Sequence, residues 1–238
     1  MTTEIAGATS MATKYLLAEL AGTYARQTGN RVSVISMSGI EAAARVRARE
    51  PYEFVVLASD ALSKLEAEGH VVAGSRVDVA VAAIAVAVSP GAKAPDISSE
   101  GAVRDAVATA LSIGYSTGPS GTHLQRLFER WGIADAVKAR LVQAPPGVPV
   151  AALIARGEVE LGFQQMSELI HEPGIHIVGT LPPGAQSLTT FSAAVCAASI
   201  RSDATGAWLR FVGAAENDAC RRRHGLEPVK ETYPRYRL

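Results

Sequence analysis

The 238-residue sequence predicts an α/β protein of two lobes, each a mixed sheet flanked by helices, joined by two crossing strands. Three observations predict it. Strand and helix signals alternate along most of the chain. Strands such as Phe54-Val55-Val56-Leu57-Ala58 are near-continuous apolar runs, as parallel strands covered on both faces require. Two longer strand-like segments, 77–89 and 189–198, break the rhythm and separate two βα series. Lobe I is therefore expected at 1–80 with 190–238, and lobe II at 81–189.

The first series opens with a short strand that breaks at Ala8-Thr9-Ser10-Met11. A helix follows, with Leu16, Leu17, Leu20 and Tyr24 on one face, and Thr28-Gly29-Asn30 ends it. Val32, Val34 and Ile35 form the next strand, which breaks at Met37-Ser38-Gly39-Ile40 into a helix over 40–49. After the strand at 54–58, Ser59-Asp60 opens another helix. The second series runs from a strand at 112–115 to a helix carrying Leu124, Leu127, Phe128 and Trp131, then to a strand at 140–144. Pro145-Pro146-Gly147 leads to a helix at 148–156 and a strand at 159–164. Helices at 204–212 and 216–224 follow the second crossing strand.

Composition narrows the functions. Hydrophobic residues make up 48% and charge is balanced, 23 basic against 23 acidic, so neither nucleic acid nor a membrane surface is an expected partner. Arg221-Arg222-Arg223, the start of a basic stretch reaching Arg237, reads as a solvated helix end. The apolar run 77–90 is interrupted by Asp78 and is too short to span a bilayer. Met1-Thr2-Thr3-Glu4 shows no basic or apolar leader, which predicts a cytoplasmic protein, or a periplasmic one if the sequence begins at a mature N-terminus. Cys196 and Cys220 are expected as buried free thiols, and the five scattered histidines show no ligand spacing. No metal or cofactor is expected, and the chain should be a monomer or weak dimer.

The chemistry lies in three polar breaks, each followed at once by a helix: the two named above and Gly114 through Thr122. The first amides of a helix lack intrahelical acceptors and carry the positive end of its dipole. Ser, Thr and Gly there let an anion approach and add hydroxyl donors. None of the three turns contains a Lys or Arg, so the expected ligand is a small anion held by dipoles. Ser10, Met11, Ser38 and Gly39 are the candidates in lobe I. In lobe II, Ser116, Thr117, Ser120 and Thr122 cannot all reach one ligand, and Ser120-Gly121 are best placed at the helix start. Gln165 ends a buried strand, where an unpaired amide costs about 1–3 kcal/mol. Gln164 faces the opposite side by strand alternation and suits a ligand or a structural role equally. His123 is a candidate general base near neutral pH, or else a solvated first-turn histidine, and Tyr115 is a second titratable candidate. Ser-His-Asp order, Walker loop, dinucleotide fingerprint and CxxC pair are all missing from the sequence.

Over nearly its whole length, the order Ala8–Met11, Ser38-Gly39, Ala58-Ser59-Asp60, Pro119-Ser120-Gly121, Val148 and 157–165 resembles the type 2 periplasmic-binding fold, in its molybdate-binding-protein branch. The resemblance implies two lobes that close over an oxyanion. It assigns Ser10 and Ser38 to lobe I of the site, and Ser120-Gly121, Val148 and Gln165 to lobe II. Gln165 stands where the molybdate binders carry a tyrosine, and 112–123 is richer in hydroxyls than their usual turn. Both departures suit an elongated polycarboxylate, and they resemble the non-transport, aconitate isomerase-like members. The expected function is thus binding of a small carboxylate, with isomerisation of an unsaturated di- or tricarboxylic acid by an allylic proton shift. The alternative is a molybdate, tungstate or other oxyanion-binding protein of an ABC transporter or a sensor.

Overall fold

In the computed structural model, which describes residues 4–229, the chain forms two compact units. The first joins the residues up to Val81 to those from Thr190 onward, and the second runs from Ala82 to Thr189. The expectations for Met1-Thr2-Thr3 and for the basic stretch beyond Val229 lie outside the described residues.

In chain order the elements are β1 (Glu4–Ser10), α1 (Lys14–Thr28), β2 (Arg31–Met37), α2 (Gly39–Arg47), β3 (Phe54–Ala58), α3 (Ser59–Ala67) and β4 (Val77–Ala82). The second unit contributes β5 (Ile84–Val88), α4 (Glu100–Thr109), β6 (Ile113–Tyr115), α5 (Pro119–Arg130), α6 (Ala134–Val137) and β7 (Leu141–Gln143). It continues with α7 (Val150–Ala155), β8 (Leu161–Gln165), α8 (Met166–Leu169) and β9 (His176–Thr180). The chain then returns through β10 (Thr189–Val195), α9 (Ser202–Gly213) and α10 (Asp218–Arg223).

The first sheet has the order β2-β1-β3-β10-β4, with β1 parallel to β2 and β3, and β10 antiparallel to β3. The second has the order β7-β6-β8-β5-β9, with β6 parallel to β7 and β8, and β5 antiparallel to β8 and β9. The architecture is the two-sheet, helix-flanked α/β class that the alternation predicts, and three details differ. The expected strand at 77–89 breaks at Ala83 into β4 and β5, which belong to different sheets. At the break Gln186 acts as a strand partner: Ile84 N–H donates to its Oε1 at 2.9 Å, and its Nε2 donates to Ile84 O at 3.0 Å. An unbroken apolar run carries no mark of that change. β9, absent from the sequence expectation, is a half-exposed edge strand that meets β5 across a register shift between Val86 and Ala87. α4 and α6 likewise add to the expected elements.

In the first unit Leu16, Leu17, Leu20 and Tyr24 of α1 are buried, as their spacing predicts. The Tyr24 ring meets Trp208 edge-on at 5.3 Å, and Phe54 lies 6.0 Å from the same indole. In the second unit β5 alternates between two cores. Ile84, Val86 and Val88 pack with Leu124, Leu127 and Phe128 of α5, while Ala85 and Ala87 face Val150 and Ile154 of α7. Gly114 and Gly162 are paired across β6 and β8, and each lies under α7. A Cβ on Gly162 would stand 2.5 Å from Ile154 Cδ1, and one on Gly114 would stand 2.8 Å from Val150 Cγ1. The glycine pair lets α7 sit unusually close to the sheet.

Arg221 corrects the reading of the basic run. It is 2% exposed, and its guanidinium donates to Val79 O (2.6 Å), Val212 O (2.6 Å), Ala214 O (3.0 Å) and Asp218 Oδ1 (2.7 Å). The side chain closes the backbone acceptors that α9 leaves open at its end, a contact distant in sequence and invisible to local charge counting. Arg221→Met keeps the stem and strands those acceptors. It is expected to lower unfolding stability by roughly 3–5 kcal/mol in urea melts. A loss under about 1 kcal/mol would remove Arg221 from this role.

Candidate functional site

In both sheets the three parallel strands have the same order, the first lying between the second and the third. Such a reversal places the loops after the central and third strands at a topological switch point, where open α/β sheets bind ligands. The turns at Ser10, at 116–121 and at Gln165 fall there, and the Ser38 turn follows the outer strand β2.

In the first unit Ser10 ends β1 in extended conformation and precedes a 3-10 turn, Met11–Thr13. Its side chain caps nothing: Oγ is buried and finds no hydrogen-bond partner among the described residues. Ser38 is different. It is the N-cap of α2, and its Oγ accepts from Glu41 N at 3.2 Å, which leaves the hydroxyl proton free to donate. Gly39 opens α2, and a Cβ there would lie 3.9 Å from Ser10 Cβ, so the two serine turns adjoin. Ser59, at the third turn of this sheet, is structural. Its Oγ bonds Thr190 O at 2.9 Å and shares a hydrogen bond with Ser192 Oγ at 2.6 Å.

In the second unit the turn from β6 into α5 holds itself together. Ser116 Oγ accepts from Gly118 N at 3.1 Å and meets Ser120 Oγ at 3.1 Å. A Cβ on Gly121 would fall 1.8 Å from Ser116 O, so only glycine fits. Ser120 and Gly121 are buried, whereas Thr122 is exposed and its hydroxyl donates back to Gly118 O at 3.4 Å. Tyr115 packs its ring against the α5 core and over Gly121, which accounts for the side chain as packing. Val148, which the resemblance assigns to the site, donates its amide to Pro145 O at 3.0 Å. The helix begins two residues later than expected, at Val150.

His123 is half-buried on α5, where its Nε2–H donates to Ala185 O at 2.9 Å. Burial pushes its pKa down and the bond to Ala185 opposes this, while Arg130 and Arg126 push it further down. The ring is anchored to the 185 segment through Nε2, so its half-burial departs from the solvated expectation, while Nδ1 keeps a lone pair that suits a base.

A further polar cluster lies where β8 enters α8. Gln164 is 1% exposed and is held at both ends: its Oε1 accepts from Val150 N at 2.7 Å, and its Nε2 donates to Glu168 Oε2 at 2.6 Å. That settles the even choice left by strand alternation, because both polar ends bond to protein. Gln165, also buried, donates Nε2–H to Thr189 Oγ1 at 3.1 Å, while its Oε1 has no partner. Ser167 Oγ is a second buried atom without a partner here. Burial pushes the Glu168 carboxyl up to about 7, with the Gln164 bond opposing it. β5, β8 and α7 pack against α8 and contain no ionisable side chain, so nothing on them restores the carboxylate. Ser167 and Glu168 are absent from the sequence candidates. The signal for them was a fourth strand-to-helix turn, Gln164-Gln165-Met166-Ser167, which lacks the glycine that marks two of the others. An open groove of about 500 Å³ along α1 and β2 includes none of Ser10, Ser38 or Gly39 among its lining residues.

A sequence model of the family described as bacterial extracellular solute-binding protein matches residues 5–227. The chain belongs to this family. An aconitate isomerase from Pseudomonas sp. is 38% identical over 219 residues, covering 89% of this chain and 82% of that protein. The molybdate-binding protein ModA of Azotobacter vinelandii is 28% identical over 156 residues, 63% of this chain and 60% of that one. The solved structure of the Azotobacter vinelandii periplasmic molybdate-binding protein matches with a TM-score of 0.80 at 21% identity, covering 95% of this chain and 100% of that one. The solute-binding family member thus has the type 2 periplasmic-binding fold, with molybdate-binding and aconitate isomerase-like relatives. No helix among its described residues is long and apolar enough to cross a membrane.

Two outcomes follow for the ligand-free protein. Ser10→Ala removes a buried, unpaired hydroxyl and should leave stability unchanged or raise it by up to about 1 kcal/mol. Ser38→Ala removes a cap and should cost about 0.5–2 kcal/mol. Equal losses in denaturant titrations would contradict the distinction. The second outcome concerns pH. Glu168 holds its proton in the folded state up to about 7, against an ordinary 4.5, so unfolding between those values releases a proton and stability falls as pH rises. Glu168→Gln should flatten that fall. An unchanged slope would show that the carboxyl titrates normally.

Proposed function

We propose that this protein binds a small unsaturated polycarboxylate at its polar turns and isomerises it, moving a carbon–carbon double bond by an allylic proton shift. The supporting observation is the 38% identity to an aconitate isomerase across 82% of that protein. The site chemistry is compatible. The unpartnered Ser10 Oγ and Gln165 Oε1 are polar groups awaiting a ligand, and the amides opening α2 and α5 supply positive dipole ends for carboxylates. The primary amide of Gln165 can turn over against Thr189, whose hydroxyl either donates or accepts, and then offers an N–H to an anion.

Glu168 takes the base role in this reading, ahead of His123 and Tyr115. In its ionised form the carboxylate removes a proton from the allylic C–H. That electron pair becomes the new double bond, and the old π pair carries the charge into a dienolate held by hydroxyls and amides. Glu168 returns the proton at the far carbon, so no atom or electron is gained or lost. A carboxyl poised near neutrality suits a base that must also give its proton back.

The likeness to molybdate binders supports a second reading, a binding protein for molybdate, tungstate or a related oxyanion. Thermal-shift titration separates the two, since only ligands of the folded state raise Tm. The largest rise is expected with cis- or trans-aconitate or a related unsaturated acid, and a rise with molybdate or tungstate alone would overturn the isomerase reading. Incubation with aconitate in deuterated water should exchange a substrate C–H, followed by NMR. Glu168→Gln should slow that turnover by about 10²–10⁴-fold, the usual worth of a positioned general base, while His123→Gln stays active. The reverse ranking would return the role to His123.

A further inference from the structure

We propose that Glu19, Cys220 and His224 form a binding site for a divalent metal ion of the zinc class, on the first unit and independent of the anion chemistry above. Cys220 lies in α10 and His224, four residues on, caps that helix with its amide donating to Cys220 O, a spacing that sets both side chains on one face, and Glu19 reaches them from α1. One carboxylate oxygen, the thiol sulfur and one imidazole nitrogen all lie within 4.8 Å of one another. Tetrahedral zinc with bonds of about 2.0–2.3 Å sets its ligands roughly 3.3–3.8 Å apart. Glu19 Oε2 and His224 Nε2 are now 2.8 Å apart in a direct hydrogen bond, so an ion needs them to separate by well under 1 Å.

The surroundings suit such a site. Arg223 binds the other oxygen of Glu19, Oε1, and so presents Oε2 toward the histidine, as outer-shell partners orient ligating carboxylates. Cys220 is buried, while Glu19 is exposed, which leaves one side for a water in the fourth position. Sulfur, nitrogen and oxygen together favour a borderline ion such as Zn²⁺ over Mg²⁺ or Ca²⁺. The ion would clasp α10 to α1, elements brought together from the two ends of the chain.

The test uses the full chain stripped with a chelator and titrated with Zn²⁺ against a competing chromophoric indicator. One Zn²⁺ per chain is expected, with a rise in Tm, and Co²⁺ should give a near-ultraviolet thiolate-to-metal band. Cys220→Ser should abolish the band, and His224→Ala and Glu19→Gln should each weaken Zn²⁺ binding by about 10–100-fold. Far-ultraviolet circular dichroism of the metal-free variants checks that they fold, and Glu19→Gln, an exposed and near-isosteric change, keeps the test valid if the other two do not. No binding by the parent chain, or binding undiminished in every folded variant, would overturn the site.

Discussion

Parallel pairing is the constraint on which the rest depends. β1 lies parallel to β2 and β3, and β6 lies parallel to β7 and β8. Parallel neighbours cannot be joined by hairpins, so each strand is followed by a crossover, and the strands of a set end on the same edge of their sheet. The register makes this concrete, with Ser10 opposite Met37 at the ends of β1 and β2. Ser10 and Gln165 end β1 and β8, Ser38 caps α2 and Ser120 lies in the first turn of α5, so all four stand at strand-to-helix turns on these edges. An anion site made of helix starts is the natural product of that geometry.

The second constraint is the accounting of buried polar groups. Gln164 and Arg221 are almost wholly enclosed, and every polar end of each has a protein partner. Glu53 is a third case. Burial alone would push its carboxyl up, but bonds from Ser199 and from the Arg201 side chain and amide hold it low. Among the described residues the exceptions are Ser10 Oγ, Gln165 Oε1 and Ser167 Oγ at the polar turns and His70 Nδ1, Thr205 Oγ1 and Trp208 Nε1 elsewhere, each a buried orphan that costs about 1–3 kcal/mol. The glycine pair under α7 belongs to the same arrangement, since it brings Val150 N within reach of Gln164.

The alternation of strand and helix, the amphipathic face of α1 and the polar breaks were legible in the sequence, because each depends on residues a few positions apart. Ser10, Ser38, Ser120 and Gln165 were legible for the same reason: a hydroxyl or amide between an apolar strand and a helix is a local signal. The fates of these side chains were not. Two serines in equivalent turns look alike in sequence, yet Ser38 caps its helix and Ser10 caps nothing.

What the sequence by itself determined is the set of elements and the chemical character of the turns, both governed by short-range periodicity and propensity. Only the tertiary structure decided where the run 77–89 divides, that Arg221 is enclosed, that His123 serves Ala185, and that Glu168 shares a hydrogen-bonded chain with Gln164 and α7. It also decided that Glu19 meets Cys220 and His224. Each of these rests on contacts between residues far apart in the chain, or on the loss of solvent around a polar group. Hydrogen-bond partners and dielectric surroundings exist only once the core has closed, and no local pattern of residues carries them.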